Sequence, residues 1–315
     1  MTRRTMIPYL VLFFGVLVVS TASVLIKSAH DHNVPSLVIA AGRLGLAALI
    51  LTPIAWSSRG AEIRSASRRD LGIGILAGLF LGLHFAAWIT SLNYTSVASS
   101  TALVATNPIF VGLASYLLFR ERLPLSAIGG IILTVLGSIL IAFSDSGAGG
   151  SNALLGDLLA LAGAACGSAY FLAGREVRRR LSILPYIWLA YTSAAVMLVA
   201  WALLAGYRLT GYDTTISLVL LGLAIGPQLL GHTAFNWALR YLSATFITIA
   251  ILGEPVGSTL LAIAIRGEQP TAMQIAGGGV VLLGITIATL AERQRAGVAP
   301  RAEAEAVVAQ QAHRY

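Results

Sequence analysis

The sequence predicts an all-α membrane protein, with ten transmembrane helices arranged as two inverted five-helix repeats. Three observations carry that prediction. Hydrophobic residues make up 57% of the chain and charged residues only 11%, whereas a soluble chain is roughly 25% charged. Ten apolar runs follow one another, each near the ~20 residues that a spanning helix needs. Unusual residues also recur at an offset of 147: Asn107-Pro108 with Glu254-Pro255, Glu121 with Glu268, Tyr94 with Tyr241, Ser96 with Ser243, Gly130 with Gly277, and Gly137 with Gly284.

The runs cover 6–27, 34–56, 70–92, 96–119, 123–143, 152–174, 183–206, 215–237, 243–265 and 269–290. Met1 to Arg4 could lead a signal peptide, but nine further spans favour an uncleaved first helix. The first repeat is placed at 1–143, a flexible linker (SDSGAGGS) at 144–151, the second repeat at 152–291 and a polar cytoplasmic tail at 292–315. With the N-terminus inside, seventeen arginines fall in cytoplasmic segments. Lys27, Arg208 and Arg266 fall outside, and Arg43 lies within a helix. That positive-inside asymmetry orients the chain with both termini in the cytoplasm. The Ala/Leu/Gly-rich, lysine-poor usage suggests a GC-rich bacterial genome, and the expected location is a bacterial inner membrane. The net charge of +8 therefore reads as an orientation signal, and nucleic acid is not needed to explain it. With five helices in each, the two halves enter the bilayer from opposite sides.

The ninth run holds the chemistry least at home in a bilayer. A carboxylate at its centre, Glu254, costs several kcal/mol unless it faces protein, water or a partner. Pro255 lacks an N–H and Gly253 resists bending little, so a kinked or broken helix is expected there. Asn107-Pro108 repeats the feature in the fourth run. Matched interruptions in two halves point to a transporter's binding site. Two readings of Glu254 stand: a gating or coupling carboxylate, and a structural acceptor for freed backbone donors.

Other polar groups lie at depth. His84 and Trp88 are four apart on the third helix and share a face, as a wall for an aromatic or cationic solute or as packed neighbours. Gln228, His232 and Asn236 form an i, i+4, i+8 stripe on the eighth helix, beside Pro227. The stripe either lines a path or bonds helices together. Arg43 requires a carbonyl or acidic partner and reads equally as a structural clamp. Gly74, Gly78, Gly82, Gly163 and Gly167 read as packing seams. A central cavity is expected from the third, fourth, eighth and ninth helices, with the first and sixth contributing.

These features resemble the EamA family of the drug/metabolite transporter superfamily. The resemblance is carried by Lys27, the Arg43 helix, Asn107-Pro108-Ile109-Phe110-Val111, Phe119-Arg120-Glu121-Arg122-Leu123, Gly130 and Gly137. In the second half it is carried by Glu254-Pro255-Val256, Arg266-Gly267-Glu268, Gly277 and Gly284. It is most similar to the YddG-type exporters of aromatic amino acids. The second half has no equivalent of Lys27 or Arg43, so the two halves play different roles. The resemblance implies export of small amphipathic metabolites, aromatic amino acids first and cationic drugs as a further class. His84, Trp88, Asn107, Gln228, His232 and Asn236 are the candidate substrate residues. Glu254, Pro108, Pro255 and Arg43 are the candidate coupling or gating residues. Protons are candidate coupling ions, with Glu254, His84 and His232 as carriers.

Motifs that are missing narrow the classes. The chain has no Gly-x-x-x-x-Gly-Lys loop, so it cannot drive transport with ATP alone, and it has no His-Glu-x-x-His or Gly-x-Ser-x-Gly. No cofactor is implied. Cys166 is the single cysteine, which leaves neither a disulfide framework nor a cysteine-based metal cluster. The alternatives are a channel or facilitator pore, against which the matched interruptions argue, and a multi-span membrane enzyme.

Overall fold

Every described element is helical, which a bilayer demands: with no water to satisfy N–H and C=O groups, backbone hydrogen bonds close within each helix. The computed structural model describes residues 3–94, 100, 103–104, 106–120, 124–143, 152–266, 272–273, 275–288 and 290–291. The linker 144–151, the tail 292–315 and the positions of Ser96, Glu121 and Glu268 lie outside these residues.

The elements in order are α1 (Arg3–Val19), α2 (Thr21–Asp31), α3 (Ser36–Ser65), α4 (Arg68–Ser91), α5 (Asn107–Phe119), α6 (Leu125–Phe143), α7 (Ala153–Val177) and α8 (Ile183–Leu204). They continue with α9 (Thr214–Leu223), a π-helical stretch (Ala224–His232), α10 (Thr233–Ala238), α11 (Ala244–Ile251), α12 (Glu254–Arg266) and α13 (Ile275–Ala288). Among the described residues, six helical segments are long and apolar enough to cross a membrane: Met6–Asp31, Ser36–Ser65, Arg68–Ser91, Leu154–Val177, Ile183–Leu204 and Thr214–Ala238. Four shorter apolar helices cover Asn107–Leu118, Leu125–Gly137, Ala244–Ser258 and Ile275–Ala288. Large apolar side chains such as Phe13, Leu49, Leu118 and Val196 point outward, where lipid accepts them at no cost.

Side-chain caps start several helices. Ser67 accepts from Asp70 N at 3.1 Å, Asp213 from Ile216 N at 2.8 Å and Ser243 from Phe246 N at 3.0 Å. Each supplies an acceptor to an N–H that has no partner inside its helix.

Small residues set the tightest packing. α4 lies between α7 and α8. A Cβ on Gly78 would run into Ser193 Oγ and the Ala190 carbonyl of α8, and Gly74 and Gly82 face the same helix. On α7, Gly163 and Gly167 face His84 and Trp88 of α4. α6 and α13 cross antiparallel: a Cβ on Gly130 would lie 2.7 Å from Gly284 O, and one on Gly137 would lie 2.7 Å from Gly277 O.

Among the described residues, three helical runs are interrupted besides the kink of α3 at Arg59 (φ −138°, ψ 19°). α1 gives way to α2 at Ser20, whose Oγ bonds back to Val16 O at 2.8 Å, a bond that bends helices. The break expected at Gly253 is present, with α11 ending at Ile251 and α12 beginning at Glu254. The two interruptions meet, since Ser258 Oγ donates to Ser20 O at 3.1 Å. The third is the π-helical stretch around Pro227, which sequence periodicity did not reveal. Proline frees a carbonyl and crowds the preceding turn, and a wider turn relieves both.

At one end of the bundle, the segment after α7 ties three helices together. Arg180 Nε donates to Asp70 Oδ1 at 2.6 Å, and Ser182 N donates to Glu62 Oε1 at 2.6 Å. Arg178 is buried and donates to Asn236 O at 3.1 Å and Leu181 O at 2.6 Å. Burial lowers the Arg178 pKa from its usual value, and the charge of Arg240 adds to the effect.

Candidate functional site

The site is organised around one charge. Arg43 projects from α3 with 0% exposure. Its Nε donates to Gln228 Oε1 at 2.8 Å, and its guanidinium carbon lies 4.2 Å from the centroid of the Phe85 ring. Both terminal nitrogens, Nη1 and Nη2, are buried and find no hydrogen-bond partner among the described residues. A buried guanidinium needs donors satisfied as well as its charge balanced, and one amide and one ring face do neither fully. Arg43 and Glu254 lie within electrostatic reach of each other.

Around Arg43 stands a wall of rings. Phe85 contacts His84 at 4.9 Å, His232 at 5.4 Å and Trp88 at 6.3 Å between centroids. His84 and Trp88 stack at 5.9 Å with 22° between planes, the shared face expected from their spacing. The His84 ring is fixed because Nδ1–H donates to Gly163 O at 2.8 Å, a carbonyl being only an acceptor. His232 also meets Phe235 at 5.6 Å and Tyr170 at 6.5 Å. Trp88 Nε1 and His232 Nδ1 are buried and find no hydrogen-bond partner among the described residues. The cluster thus pairs apolar ring faces with unspent polar atoms, the composition of a small-molecule site.

The Gln228, His232 and Asn236 stripe faces inward, with exposures of 0%, 8% and 0%. Asn236 Nδ2 bonds the Tyr170 hydroxyl and, at 2.8 Å, His232 O. Tyr191 OH lies 3.4 Å from Gln228 O and 3.3 Å from Thr233 Oγ1. Between them, Tyr170 and Tyr191 form a buried hydroxyl shelf below the rings.

Asn107 and Glu254 each open a helix one residue ahead of a proline, α5 at Pro108 and α12 at Pro255. Proline suits a first turn, where its missing N–H has no intrahelical partner to lose. Ser168 of α7 donates to Asn107 Oδ1 at 2.7 Å. Gly167 lets Asn107 and His84 approach the same point: a Cβ there would lie 2.9 Å from His84 Nδ1 and 3.4 Å from Asn107 Nδ2.

The structure brings together Arg43, His84, Trp88, Gln228, His232 and Asn236. It joins Asn107 to them through Gly167 and Ser168, and Glu254 through the field of Arg43. Pro108 and Pro255 lie at helix starts. Two points add to the helices expected around the site. Its central charge comes from α3, the second span, and one hydroxyl comes from α8, the seventh; neither span was among those expected. The reason is the charge itself, since an arginine near mid-membrane draws polar side chains from every neighbouring helix. Phe85, Tyr170 and Tyr191 escaped sequence reasoning. Phe85 is indistinguishable by type from other core phenylalanines. The tyrosines carried a signal, because a tyrosine well inside a span is far from the interfacial belt where the residue is expected.

The description "EamA-like transporter family" matches residues 6–143 and again residues 154–290. A relative in Salmonella typhimurium, named as a probable amino-acid metabolite efflux pump, is 27% identical over 278 residues, 84% of this chain and 89% of that protein. Another in Streptantibioticus cattleyicolor, named as a probable terminal-alkyne amino-acid exporter, is 24% identical over 248 residues, 76% of this chain and 81% of that protein. One solved crystal structure superposes with a TM-score of 0.74 at 21% identity, covering 91% of this chain and 98% of its own, a likeness of fold.

Proposed function

The chain belongs to the EamA-like transporter family, and on that premise we propose that it is a carrier exporting amino acids with aromatic or large apolar side chains by alternating access. It is an integral membrane transporter, and export of this substrate class is the reading its site supports best. The observation that carries the reading is Arg43, buried with two unpaired nitrogens beside the Phe85, His84, Trp88 and His232 rings. A substrate carboxylate would meet Nη1 and Nη2 side by side, the geometry that arginine favours. The substrate ring would lie against Trp88 and Phe85, and its ammonium would face Glu254. Gln228 holds the guanidinium at the required angle. Sugar phosphates and nucleotide sugars call for several basic groups, and Arg43 is the one arginine of the sequence placed at depth. The names of two relatives, each concerned with amino-acid efflux, favour the same class.

Ten spans in two inverted repeats, with boundaries at 1–143 and 152–291, complete the proposal. The six long and four shorter helices match the ten apolar runs in order. Gly130 touches Gly284 while Gly137 touches Gly277, and the offset of 147 converts one contact into the other. Such reciprocal contact is what a two-fold axis produces, and its antiparallel sense favours an axis in the membrane plane. The inner-membrane setting with cytoplasmic termini rests on the arginine asymmetry.

The test is counterflow in proteoliposomes with labelled phenylalanine, tryptophan, threonine, glutamate and a hexose phosphate. Saturable exchange with phenylalanine or tryptophan ahead of glutamate and the hexose phosphate is expected. Equal uptake across the panel, or uptake without saturation, refutes the carrier assignment or its substrate class.

A further inference from the structure

A second feature lies apart from the ring cluster. Between α4, α5 and α7 is a crevice of about 520 Å³, walled by apolar side chains such as Phe80, Leu113, Leu117 and Leu172. Among the described residues, its polar lining side chains are Ser168, which bonds Asn107, and Glu176 at the end of α7. Leu113 and Leu117 are 57% and 66% exposed on α5, so the crevice opens sideways, toward the acyl region of a bilayer. Its volume lies within the roughly 300–1,000 Å³ of small-molecule sites.

The end of the crevice is basic. Glu176 lies 2.9 Å from Arg180 Nη1, 3.7 Å from Arg69 Nη2 and 3.9 Å from Arg179 Nη1. Arg180 also bonds Asp70 through Nε at 2.6 Å, so it is held between two carboxylates. Three guanidinium groups thus share two carboxylates. Arg69 and Arg179 are 74% and 65% exposed and are held beyond good hydrogen-bond distance, so most of their donors are unspent. Basic groups beside a gap between spanning helices are the recognition chemistry of anionic lipid headgroups.

We propose that this crevice binds one anionic glycerophospholipid, with an acyl chain between α4, α5 and α7 and the phosphate on Arg69 and Arg179. Only such a lipid satisfies both halves of the feature. Free phosphate meets the arginines and leaves the apolar slot empty, a neutral apolar solute does the reverse, and a choline headgroup brings a cation to a cationic rim. The bound lipid ties α5 to α4 and α7 at the contact where Ser168 holds Asn107.

The test reads lipid binding, so it stands apart from transport and from the substrate assignment. Purified protein is titrated with phosphatidylglycerol or phosphatidylcholine and the bound lipid counted by native mass spectrometry. Preference for phosphatidylglycerol is expected. An arginine near an anionic surface contributes about fivefold in affinity, so Arg69→Gln with Arg179→Gln should cost about 25-fold. Ala169→Trp, which fills the slot, should also abolish the bound lipid; Leu117→Trp serves if that variant does not fold. Equal binding of the two lipids, or a preference that survives both the arginine and the tryptophan changes, overturns the proposal. Displacement of the lipid by millimolar inorganic phosphate overturns it as well, since the rim alone would then be an anion site. Displacement by a neutral apolar solute with no effect of the arginine changes would make the slot a site for that solute.

Discussion

Replacing Gln228 by leucine isolates what holds Arg43 in the bundle. The bond from Arg43 Nε to Gln228 Oε1 is 2.8 Å, and both residues have 0% exposure. A hydrogen bond to a charged group is worth about 1.5–3 kcal/mol, while bonds between helices in membranes average about 0.6 kcal/mol, because the unfolded chain finds other partners. The charged figure applies better here. Both terminal nitrogens of Arg43 already lack a partner among the described residues, so no acceptor among them stands by to replace the lost one. What remains for the guanidinium is the face of Phe85 at 4.2 Å, worth about 2 kcal/mol when desolvated. Gln228→Leu should therefore destabilise the protein by about 2 kcal/mol.

Arg43→Leu should cost less, because it removes a buried charge along with its bond and leaves only an amide, whose Nε2 is unpaired in any case. The double variant should recover most of the loss, giving a coupling energy of about 1.5–2 kcal/mol. Reversible unfolding in mixed micelles measures all four corners of the cycle. Additivity within about 0.5 kcal/mol would refute the reasoning, since independent sites behave that way.

Four further outcomes are expected. Gly78→Ala should lower thermal stability, because overpacking against Ser193 and the Ala190 carbonyl costs about 1–3 kcal/mol and the helix-propensity gain is only about 1 kcal/mol; Gly72→Ala, with open space around it, should not. Trp88→Ala should weaken phenylalanine transport about tenfold while sparing threonine, since a ring pair is worth about 0.5–1.5 kcal/mol beyond its buried area; equal losses in the two flux assays would reduce Trp88 to packing. Glu254→Gln should flatten the pH dependence of transport if protons are coupled through it, and an unchanged pH–rate profile removes Glu254 from the mechanism. With Cys166→Ser as background, an impermeant thiol reagent added outside should label Ser146→Cys and spare Arg179→Cys; the opposite pattern inverts the topology.

The sequence made the fold legible because a membrane simplifies the code. Apolar runs of one length give helices, while the orientation read from arginine placement is what the labelling experiment tests. It located the interruption at Gly253 for the same reason, since proline and glycine act through the backbone, whatever surrounds them. The inward stripe Gln228–His232–Asn236 was readable from spacing, yet the π-helical turn that carries it was not. A π turn reflects how neighbours fill the space around Pro227, and periodicity does not record that. Phe85 was hidden because its role depends on what lies against its ring, here a guanidinium and an imidazole from two other helices. The crevice between α4, α5 and α7 was invisible as well, being a gap between elements that each look ordinary.

The repeat we propose would account for where the site is built and for its lack of symmetry. Phe85 and His232 are 147 residues apart, the repeat offset, and their rings touch at 5.4 Å. Positions related by a two-fold axis can touch only at the axis, so the ring cluster lies where the two proposed repeats meet. The same exchange relates Ser20 against α12 to Gly167 against α5, each packed on a proline-started helix of the other proposed half, although only Ser20 sits at a helix interruption. The charge departs from this symmetry. The offset carries Arg43 onto Ala190 and Tyr191 onto Leu44, so one half supplies the cation and the other a hydroxyl. Two guanidinium groups facing each other in a low-dielectric core would repel strongly. A single one, held by Gln228 from the opposite proposed half, gives the site one cationic pole. In the reading proposed here, a solute with one carboxylate then binds in one orientation, whichever side of the membrane the cleft faces.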